Sequence, residues 1–587
     1  MKKTAFAWAI VLTMVVGLVL AGCQGPAPSA APTSAAATTA GEQSAAPEAT
    51  PTPEATPTPA PAVNNPGKDR PDTLVLAMNA GAPEGKFLPV YSSTVSDSDI
   101  GSMVFEGMLI NDPTGTPVPW LAEKWEISAD GLTYTFHLKK GIKYSNGDEL
   151  KASDVVFTYK IMADATYDGA RQSAVSSLVG FEDFNTGKSA DFPGVTAPDD
   201  YTVVFKLAKA KASAIWDFGY GIMSEKYYGP YTAGKLDNIK AKLADAMGTG
   251  PYLLKEYIPG ESVKYEANPN YWDGAPKISK MVYRLIDDSA VLLQEVEAGT
   301  VDVASLGADA DTVAMVDKTG IYTKYLYDKL DYAHIGLNTR QAPLNDKKVR
   351  QALAYGFDRE GFLKARYGDY GFSLDVPFAK ASWAFDSSIP PVTYDPAKAE
   401  ALLDEAGWKK GADGFRVNDK GEALAIKFSC WQGTKFADMI VATVKDSWEK
   451  IGVKTEIEQM EFNTLSTKVF DNQDFQSYAI SWSLSIDPDP ADLYSKAATS
   501  KGGFNPGGWS TEESEKLLAE GLASTDQAKR KEIYSQWSKI FIDEMPYITI
   551  GSSKALNITN VRVKGMEFGT YQSFGYMIHK AELLPLQ

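Results

Sequence analysis

Few side chains in this sequence are of the types that perform catalysis or bind metal ions. The three histidines, His137, His334 and His579, lie far apart, and none has a cysteine or another histidine at metal-ligand spacing. Cys430 lies in an apolar, strand-like run without a flanking base, so we expect a buried thiol and not a nucleophile. We expect a structural or surface role for each histidine, although three histidines that meet in space stay open as an alternative.

The sequence also lacks the short motifs of nucleotide hydrolysis and of common hydrolases. It contains no Gly-x-x-x-x-Gly-Lys-Ser/Thr, no His-Glu-x-x-His and no Gly-x-Ser-x-Gly. Gly248 and Gly250 precede a proline with no basic residue after it, which favours a tight turn over a phosphate-binding loop. We therefore expect no enzymatic activity and no cofactor.

The most informative segment, from Ala479 to Pro490, begins as an apolar strand and ends in a proline-rich loop. Side chains of such a loop are well placed to contact a ligand. Trp482 is predicted either to stack on that ligand or to pack at the end of the strand. Asp487 and Asp489 each precede a proline, so turn formation is the alternative to a binding role for both.

The chain that positions these residues is long, acidic and globular in composition. Its 587 residues suggest three or four structural units, with 44% hydrophobic and 23% charged residues. Lys plus Arg number 58 and Asp plus Glu number 75, which leaves a net charge of −17. Such a surface repels phosphate backbones, so nucleic acid is excluded as an expected partner. Two cysteines cannot form a disulfide framework.

Local patterns predict mixed α/β structure. Residues 132–138 alternate between apolar and polar, so His137 is expected to point away from the buried face. Ser153 and Asp154 are predicted to cap a helix that begins at Val155, and Asp395 with Pro396 to open another that Gly407 ends. Further strands are predicted within residues 73–77, 201–205, 276–286, 454–459 and 547–550.

The first 23 residues are typical of a targeting segment. Lys2 and Lys3 precede an apolar stretch from Ala5 to Leu20, which is shorter than the ~20 residues of a membrane-spanning helix. The run that ends at Cys23 resembles the lipobox of bacterial lipoproteins, in which the cysteine receives a diacylglycerol and becomes the mature N-terminus. An ordinary secretory signal is the alternative.

Residues 24–66 are predicted to form an extended tether. Of these 43 residues, 13 are Ala, 10 Pro, 7 Thr and 3 Ser, and the hexamer Pro-Glu-Ala-Thr-Pro-Thr occurs twice in tandem. This composition offers too little apolar surface to form a core. The tether would hold the folded part up to roughly 100 Å from a membrane.

Ordered sequence blocks beyond the tether resemble one family, the extracellular solute-binding proteins of family 5 that serve ABC importers for oligopeptides, dipeptides and nickel. No single block is specific to this family, but the order of the blocks over most of the chain is specific to it. The blocks are 104–108, 119–125, 130–136, 152–157, 248–252, 268–272, 298–302, 338–340, 349–353, 357–359 and 482–490.

The resemblance implies an α/β fold of two lobes, the clamshell of type II-like periplasmic binding proteins in the large peptide-binding class. An extra subdomain is inserted in lobe I. We place the boundaries near residues 105, 196, 333 and 547. This assigns 67–105, 197–333 and 548–587 to lobe I, 106–196 to the inserted subdomain and 334–547 to lobe II.

The resemblance also implies ligand-binding residues. Ser93, Thr94 and Val95 match a loop that lines the ligand channel, Phe462 and Trp482 match aromatic lining positions, and Tyr167 matches a further one loosely. In the peptide-binding members, the third position after the tryptophan is commonly an aspartate that pairs with the peptide ammonium. That position is Ser485 here, so either Asp487 makes the ion pair or the ligand has no ammonium at that end.

The function implied is a lipid-anchored substrate-binding protein that captures oligopeptides or dipeptides by lobe closure. It would deliver them to an ABC permease driven by a separate ATPase, as a monomer without metal on the extracytoplasmic face of the membrane. Four alternatives stay open: an oligosaccharide receptor, a metallophore receptor, a sensor lipoprotein and an extracytoplasmic hydrolase.

Overall fold

The structure, a computed structural model, describes residues 65–586. The predicted signal peptide, the lipidation site Cys23 and nearly all of the predicted tether lie outside the described residues. Asn65 is buried and Pro66–Asp69 forms a short 3-10 helix, so the last two residues assigned to the tether belong to the fold. Asn65 is held there by paired side-chain hydrogen bonds with Asn560, both 2.9 Å long.

The strands of the described residues are, in chain order, β1 (Thr73–Met78), β2 (Leu109–Asn111), β3 (Pro117–Pro119), β4 (Ala122–Ile127), β5 (Thr133–Leu138), β6 (Val195–Asp199), β7 (Thr202–Lys206), β8 (Tyr252–Ile258), β9 (Ser262–Ala267), β10 (Lys280–Leu285), β11 (Val303–Gly307), β12 (Tyr322–Asp328), β13 (Asp331–Leu337), β14 (Gly371–Ser373), β15 (Lys409–Lys410), β16 (Arg416–Val417), β17 (Ala425–Trp431), β18 (Lys454–Met460), β19 (Ser477–Ser483), β20 (Tyr547–Asn560), β21 (Val563–Lys564) and β22 (Glu582–Leu583).

The α-helices are α1 (Val95–Ser102), α2 (Ala152–Ala163), α3 (Phe181–Asn185), α4 (Ala214–Asp217), α5 (Glu225–Tyr228), α6 (Asp237–Lys240), α7 (Ser289–Glu297), α8 (Ala310–Thr319), α9 (Lys347–Tyr355), α10 (Arg359–Tyr367), α11 (Pro396–Glu405), α12 (Lys435–Lys450), α13 (Phe462–Ser466), α14 (Ala491–Tyr494), α15 (Glu512–Ala523) and α16 (Gln527–Glu544). Shorter turns of 3-10 or π-helix are Pro66–Asp69, Gln172–Ala174, Gly368–Tyr370, Thr467–Asp471, Ala497–Thr499 and Ile578–Lys580.

The predicted strands all appear, and the helix signals are right with one shift. Asp395 accepts a hydrogen bond from the amide of Lys398 (2.9 Å) at the start of α11, and Gly407 follows its end with φ +87°. The predicted start of α2, Val155, is three residues too late. This helix begins at Ala152, and Asp154 reaches back to the amide of Lys151 (2.9 Å) from inside the first turn.

One mixed sheet of twelve strands runs through most of the fold. Its order is β18-β17-β19-β13-β20-β11-β1-β10-β9-β8, and β12 and β14 pair additionally with β20. The strand β1 is parallel to both β10 and β11, so the carboxyl ends of these three strands lie at one edge. Open α/β sheets bind ligands at such edges.

The long strand β20 joins the two halves of this sheet. Its first residues, Tyr547 to Gly551, pair with β13, whereas Lys554 to Asn560 pair with β12. The chain also passes from lobe I to lobe II between β12 and β13, at Lys329 and Leu330. The prediction for this strand, residues 547–550, covered only its first part. Two strand crossings therefore connect the two lobes, a few residues away from the predicted boundaries at 333 and 547.

A separate four-stranded sheet, β4-β5-β7-β6, packs on lobe I. Its strands β6 and β7 form a hairpin that ends at Lys206, so this sheet extends beyond the predicted subdomain boundary at residue 196. Phe136 and Phe205 from this sheet lie in one hydrophobic core with Leu74 of β1. The inserted sheet and lobe I thus share a core.

Lobe II is a sheet with helices on both faces. Trp448 of α12 packs with Phe428 on one face, and Trp537 of α16 lies in the same core as Tyr478 on the other. The alternation of Tyr478 and Ala479 between these two cores follows from the period of two in a strand. Within residues 65–586, no helix has both the length and the apolar surface needed to cross a membrane.

Candidate functional site

The residues that the sequence singled out in lobe II meet at the hinge. Trp482 of β19 pairs with Tyr332 of β13, which lies just after the crossing from lobe I. The amide of Leu484 donates to the carbonyl of Leu330 in the crossing itself (2.7 Å). The strand end that carries Trp482 is therefore fixed to the hinge.

Trp482 belongs to a group of rings that we call the Trp482 cluster, made of His334, Phe470, Trp482 and Phe504. Trp482 stacks on His334 with ring centroids 5.6 Å apart at 22°, and it lies 5.4 Å from Phe504 and 5.7 Å from Phe470. Phe504 is 48% exposed. The cluster has a packed inner side and an open outer side, so both roles considered for Trp482 are compatible with its position.

Phe462 offers a second exposed ring in lobe II. It begins α13, is 47% exposed, and lies edge-on to Trp431 with centroids 6.3 Å apart. Exposed rings of this size contribute large contact areas when they are covered.

His334 is fully buried and neutral. Burial lowers its pKa to about 3, and neither ring nitrogen has a hydrogen-bond partner among residues 65–586. The other two histidines pair with acids: His137 lies 3.7 Å from Glu126, and His579 lies 2.9 Å from Asp273. Among the described residues, neither of these acids brings a serine to its histidine.

The loop after Trp482 differs from the predicted arrangement. Ser485 is exposed, but Asp487 is only 6% exposed and both of its carboxylate oxygens bond to Arg530 of α16, at 2.6 and 2.7 Å. Asp487 also accepts from the amide of Asp489 (3.0 Å). The carboxylate expected to face a ligand ammonium has an arginine partner inside the protein instead, because α16 brings a buried cation to it.

Asp489 forms the turn that the sequence offered as the alternative to ligand binding. Its carboxylate accepts from the amide of Ala491 (3.1 Å) at the start of α14. Burial raises the pKa of Asp489 to about 6.

In lobe I, the predicted loop leads into α1. Thr94 caps this helix by accepting from the amide of Asp97 (3.0 Å), and Ser93 is exposed and lies 3.3 Å from Glu84. Val95, the first helical residue, is 63% exposed. Tyr167 is only 8% exposed, and its hydroxyl donates to the carbonyl of Val90 and accepts from the amide of Arg171 (3.1 Å). Tyr167 is thus bonded within the protein.

Two cavities lie on either side of α1. The larger one, of about 470 Å³, is lined by Ser98 and Ser102 of this helix, and by Glu106 and Arg171. The smaller one, of about 230 Å³, which we call the Asp99 cavity, is lined by Val95 and Asp99. Gln572 and Ser573 from the C-terminal segment line both cavities. Of the residues predicted in lobe I, the structure places Val95 at a cavity.

The buried carboxylate in the larger cavity is fully hydrogen-bonded. Burial raises the pKa of Glu106, while four donors stabilise its charged form. These donors are Trp120 (2.8 Å), Thr249 (2.8 Å), Tyr271 (2.5 Å) and Trp272 (2.9 Å). With every lone-pair direction occupied, Glu106 shapes the wall of this cavity.

A third cavity, of about 350 Å³, lies between the inserted sheet and lobe II. Trp125 and Trp216 line it from one side, and Trp383 and Arg530 line it from the other. Between described residues, two hydrogen bonds join the lobes away from the hinge. They run from the amide of Ala212 to the carbonyl of Leu522 (3.1 Å) and from Tyr571 to the carbonyl of Ala381 (2.9 Å). The lobes are therefore in contact in the described arrangement.

Sequence reasoning missed Asp99, Arg171 and the C-terminal segment. Asp99 had a detectable signal, since it lies four residues after Val95 and so shares its helix face. Gln572 had no signal of this kind, because its segment shows no helix or strand periodicity. Cys430 is buried as predicted, and burial raises the pKa of its thiol to about 12.

Among residues 65–586, no set of three or more His, Cys, Asp or Glu side chains is arranged to hold a metal ion. The carboxylates of Asp487, Asp489 and Glu106 all accept hydrogen bonds from protein donors. The rings of the Trp482 cluster and the polar groups at the cavities are suited to noncovalent contacts.

Comparison with known proteins agrees with this interpretation. Residues 116–505 match a family model described as bacterial extracellular solute-binding proteins, family 5 middle. The dipeptide-binding protein of Escherichia coli (strain K12) is 30% identical over 504 residues, which cover 83% of this chain and 90% of that protein. The heme-binding protein A of Haemophilus influenzae is 30% identical over 473 residues, covering 78% and 82% respectively.

A solved structure supports the same fold. The oligopeptide-binding protein AppA from Bacillus subtilis, in complex with a nonapeptide, superposes with a TM-score of 0.71 at 26% identity. The match covers 87% of this chain and 98% of that chain. The expected two-lobe α/β class is thereby confirmed.

Proposed function

The chain belongs to the bacterial extracellular solute-binding proteins, family 5, and on that premise we propose that it binds oligopeptides or dipeptides between its two lobes. Members of this family are solute-binding proteins and not enzymes, in agreement with the expectation of no catalysis. The general role is that of a substrate-binding protein for an ABC transporter. Binding of peptides is the finer proposal.

The observation that carries this proposal is that exposed rings in lobe II and the Asp99 cavity in lobe I lie on the two sides of a two-strand hinge. Trp482 lies opposite Tyr332 just after the crossing in lobe II, and Tyr327 lines the Asp99 cavity just before it. The two tyrosines are five positions apart along an extended chain, a span of at most about 17 Å. A short extended peptide can reach both sides.

The hinge itself is suited to a change of angle between the lobes. Gly551, where β20 leaves β13, has φ +145°, and a Cβ atom there would lie 2.2 Å from the carbonyl oxygen of Phe372. The β13–β20 pairing shifts register between Ala333 and His334. We propose that the lobes rotate about this point and enclose the ligand, which removes ligand and protein polar groups from water together.

The proposed cellular context rests on the sequence. We propose that Cys23 carries a lipid anchor and that residues 24–64 tether the folded part, which begins at Asn65, to the extracytoplasmic face of the membrane. We propose further that lobe I and lobe II are divided near the two strand crossings, and that the inserted subdomain carries the four-stranded sheet β4-β5-β7-β6. The loaded monomer would dock on a permease driven by a separate ATPase.

A planar apolar ligand is the second candidate. Phe504 of the Trp482 cluster and Phe462 are exposed rings, and the relative from Haemophilus influenzae is named for heme. Such a ligand would stack on Trp482 and would not need an ammonium partner.

Native mass spectrometry of the purified chain, with Cys23→Ser to keep it out of the membrane, tests the proposal. We expect a ladder of co-purified peptide masses that disappears after unfolding and refolding. A single oligosaccharide mass, or a porphyrin with its visible absorbance, would contradict peptide binding. A Trp482→Ala variant prepared in parallel should carry less of the same ligand.

A further inference from the structure

The Asp99 cavity lies at the edge of lobe I where parallel strands end. Its floor is formed by Ala77 and Met78, the last residues of β1, with Ser305 of β11 and Tyr283 of β10 beside them. Asn557 of β20 closes it on the side of the hinge, three residues after Lys554. The cavity therefore lies next to the hinge, on the lobe I side of the proposed ligand space.

Three buried polar atoms in this cavity have no hydrogen-bond partner among residues 65–586. They are the hydroxyl of Tyr283, which is fully buried, the amide oxygen of Asn557, which is 4% exposed, and the side-chain nitrogen of Gln572. The amide nitrogen of Asn557 already donates to Tyr327 (2.8 Å), which leaves its oxygen directed elsewhere. Buried polar atoms without partners are destabilising and are rare in folded proteins.

Asp99 adds an unpaired carboxylate to the same cavity. Neither a hydrogen bond nor an ion pair involves its side chain within the described residues, and burial raises its pKa to about 7. The titratable groups that face it are the phenols of Tyr265 and Tyr283, from β9 and β10, with Tyr327 of β12 also lining the cavity. All three are neutral near pH 7, so the protein supplies no positive charge to this carboxylate.

We infer that the Asp99 cavity binds a protonated amine of the ligand, namely the amino-terminal ammonium of a peptide. An ammonium has three N–H donors, and the cavity offers three acceptors: the Asp99 carboxylate, the Asn557 oxygen and the Tyr283 hydroxyl. The nitrogen of Gln572 is a donor suited to the first peptide carbonyl. This inference rests on the proposed function, which it deepens by giving the position of the peptide's amino end.

The inference also accounts for the loop after Trp482. With Ser485 in place of an acid and Asp487 bonded to Arg530, lobe II supplies no free carboxylate in that loop. Asp99 would provide the required negative charge from the opposite lobe. The peptide would then run from the Asp99 cavity across the hinge toward Trp482.

A binding experiment with two peptide libraries tests this inference. Random tri-, tetra- and pentapeptides with free amino ends, and the same library after N-acetylation, are each incubated with ligand-stripped protein, and the retained peptides are quantified by mass spectrometry. We expect the wild type to retain free-amine peptides at least about tenfold over acetylated ones. Asp99→Asn should bring this ratio close to one, and Tyr283→Phe should lower it while it keeps the ring in place.

Asp311→Asn, which removes an exposed carboxylate from α8 in the same lobe, is the charge-matched control and should leave the ratio unchanged. Equal retention of both libraries by the wild type would overturn the ammonium site but leave peptide binding standing. Retention of neither library would overturn peptide binding itself, and the inference with it. A preference that Asp99→Asn leaves intact in folded protein would place the ammonium elsewhere.

Discussion

The buried pair of Asp487 and Arg530 gives a prediction that separates a structural role from a binding role. Asp487→Asn removes the negative charge and keeps the size of the side chain. Both partners are nearly inaccessible, with side-chain exposures of 4% and 5%, and the two contacts are 2.6 and 2.7 Å long. The new amide can accept one of the two guanidinium hydrogen bonds, but its NH₂ group faces the other donor.

The expected loss follows from this geometry. Breaking a buried ion pair by removing one partner lowers the free energy of unfolding by about 3–5 kcal/mol, because the remaining charge is left uncompensated. The matched control is Asp446→Asn, which removes an exposed i,i+4 pair with Lys450, where the side-chain exposures are 65% and 58%. Such a surface pair contributes only about 0.3–0.5 kcal/mol.

Urea unfolding followed by tryptophan fluorescence measures both free energies, and calorimetry with a co-purified peptide measures affinity. Asp487→Asn should lose stability and keep its ligand dissociation constant within about threefold, which corresponds to less than about 0.7 kcal/mol. If its stability were unchanged and its affinity fell about tenfold, the carboxylate would act on the ligand after all.

Three further predictions concern Asp99, Cys430 and Trp482. The pKa of Asp99 is raised in the folded state, so the folded protein holds the proton of this carboxyl group more tightly than the unfolded chain does. The protonated carboxyl group therefore contributes its full stabilisation below pH 4, and this contribution is lost by pH 7. The unfolding free energy of the ligand-free wild type, relative to Asp99→Asn, should thus fall by up to about 4 kcal/mol over that range, and a flat difference would contradict this. Native protein with Cys23→Ser should not react with a thiol reagent at pH 8, because Cys430 is buried with its pKa at about 12; rapid labelling would refute this. Trp482→Ala should weaken peptide binding about tenfold, and Trp482→Phe should retain most of the affinity, as calorimetry would measure.

Local signals in the sequence predicted individual elements well. The cap at Asp395, the proline after it and Gly407 define α11 without reference to the rest of the fold. The alternation within β5 likewise gave the correct buried face, since one side of that strand packs against the core. These features depend on neighbours in the chain.

Features that depend on distant partners were not predictable in the same way. Only the first four residues of β20 were predicted as strand, because the rest is stabilised by pairing with β11 and β12, more than two hundred residues earlier. Asp487 could be selected as a turn-forming or ligand-facing acid, but its partner Arg530 is 43 residues away. A sequence pattern does not show which cation a carboxylate meets.

The candidate site was therefore only partly predictable. Trp482 lies beside the hinge and Val95 lines the Asp99 cavity, and their contact with a ligand stays a prediction. Tyr167 is hydrogen-bonded within the protein, and Asp99 was not selected, although it follows Val95 by one helical turn. Its importance appears only when the unpartnered groups of β10 and β20 are seen around it.

The most direct test of lobe closure is the distance across the mouth between the lobes. Ala210 and Thr525 approach each other there, since both lie within 3.9 Å of the position that a Cβ atom on Gly131 would occupy. Spin labels at Ala210→Cys and Thr525→Cys, in a Cys23→Ser chain whose buried Cys430 stays unlabelled, report this distance by pulsed electron paramagnetic resonance. We predict one short distance with bound peptide and a longer, broader distribution after the peptide is removed. Identical distributions in both states would contradict ligand capture by lobe closure.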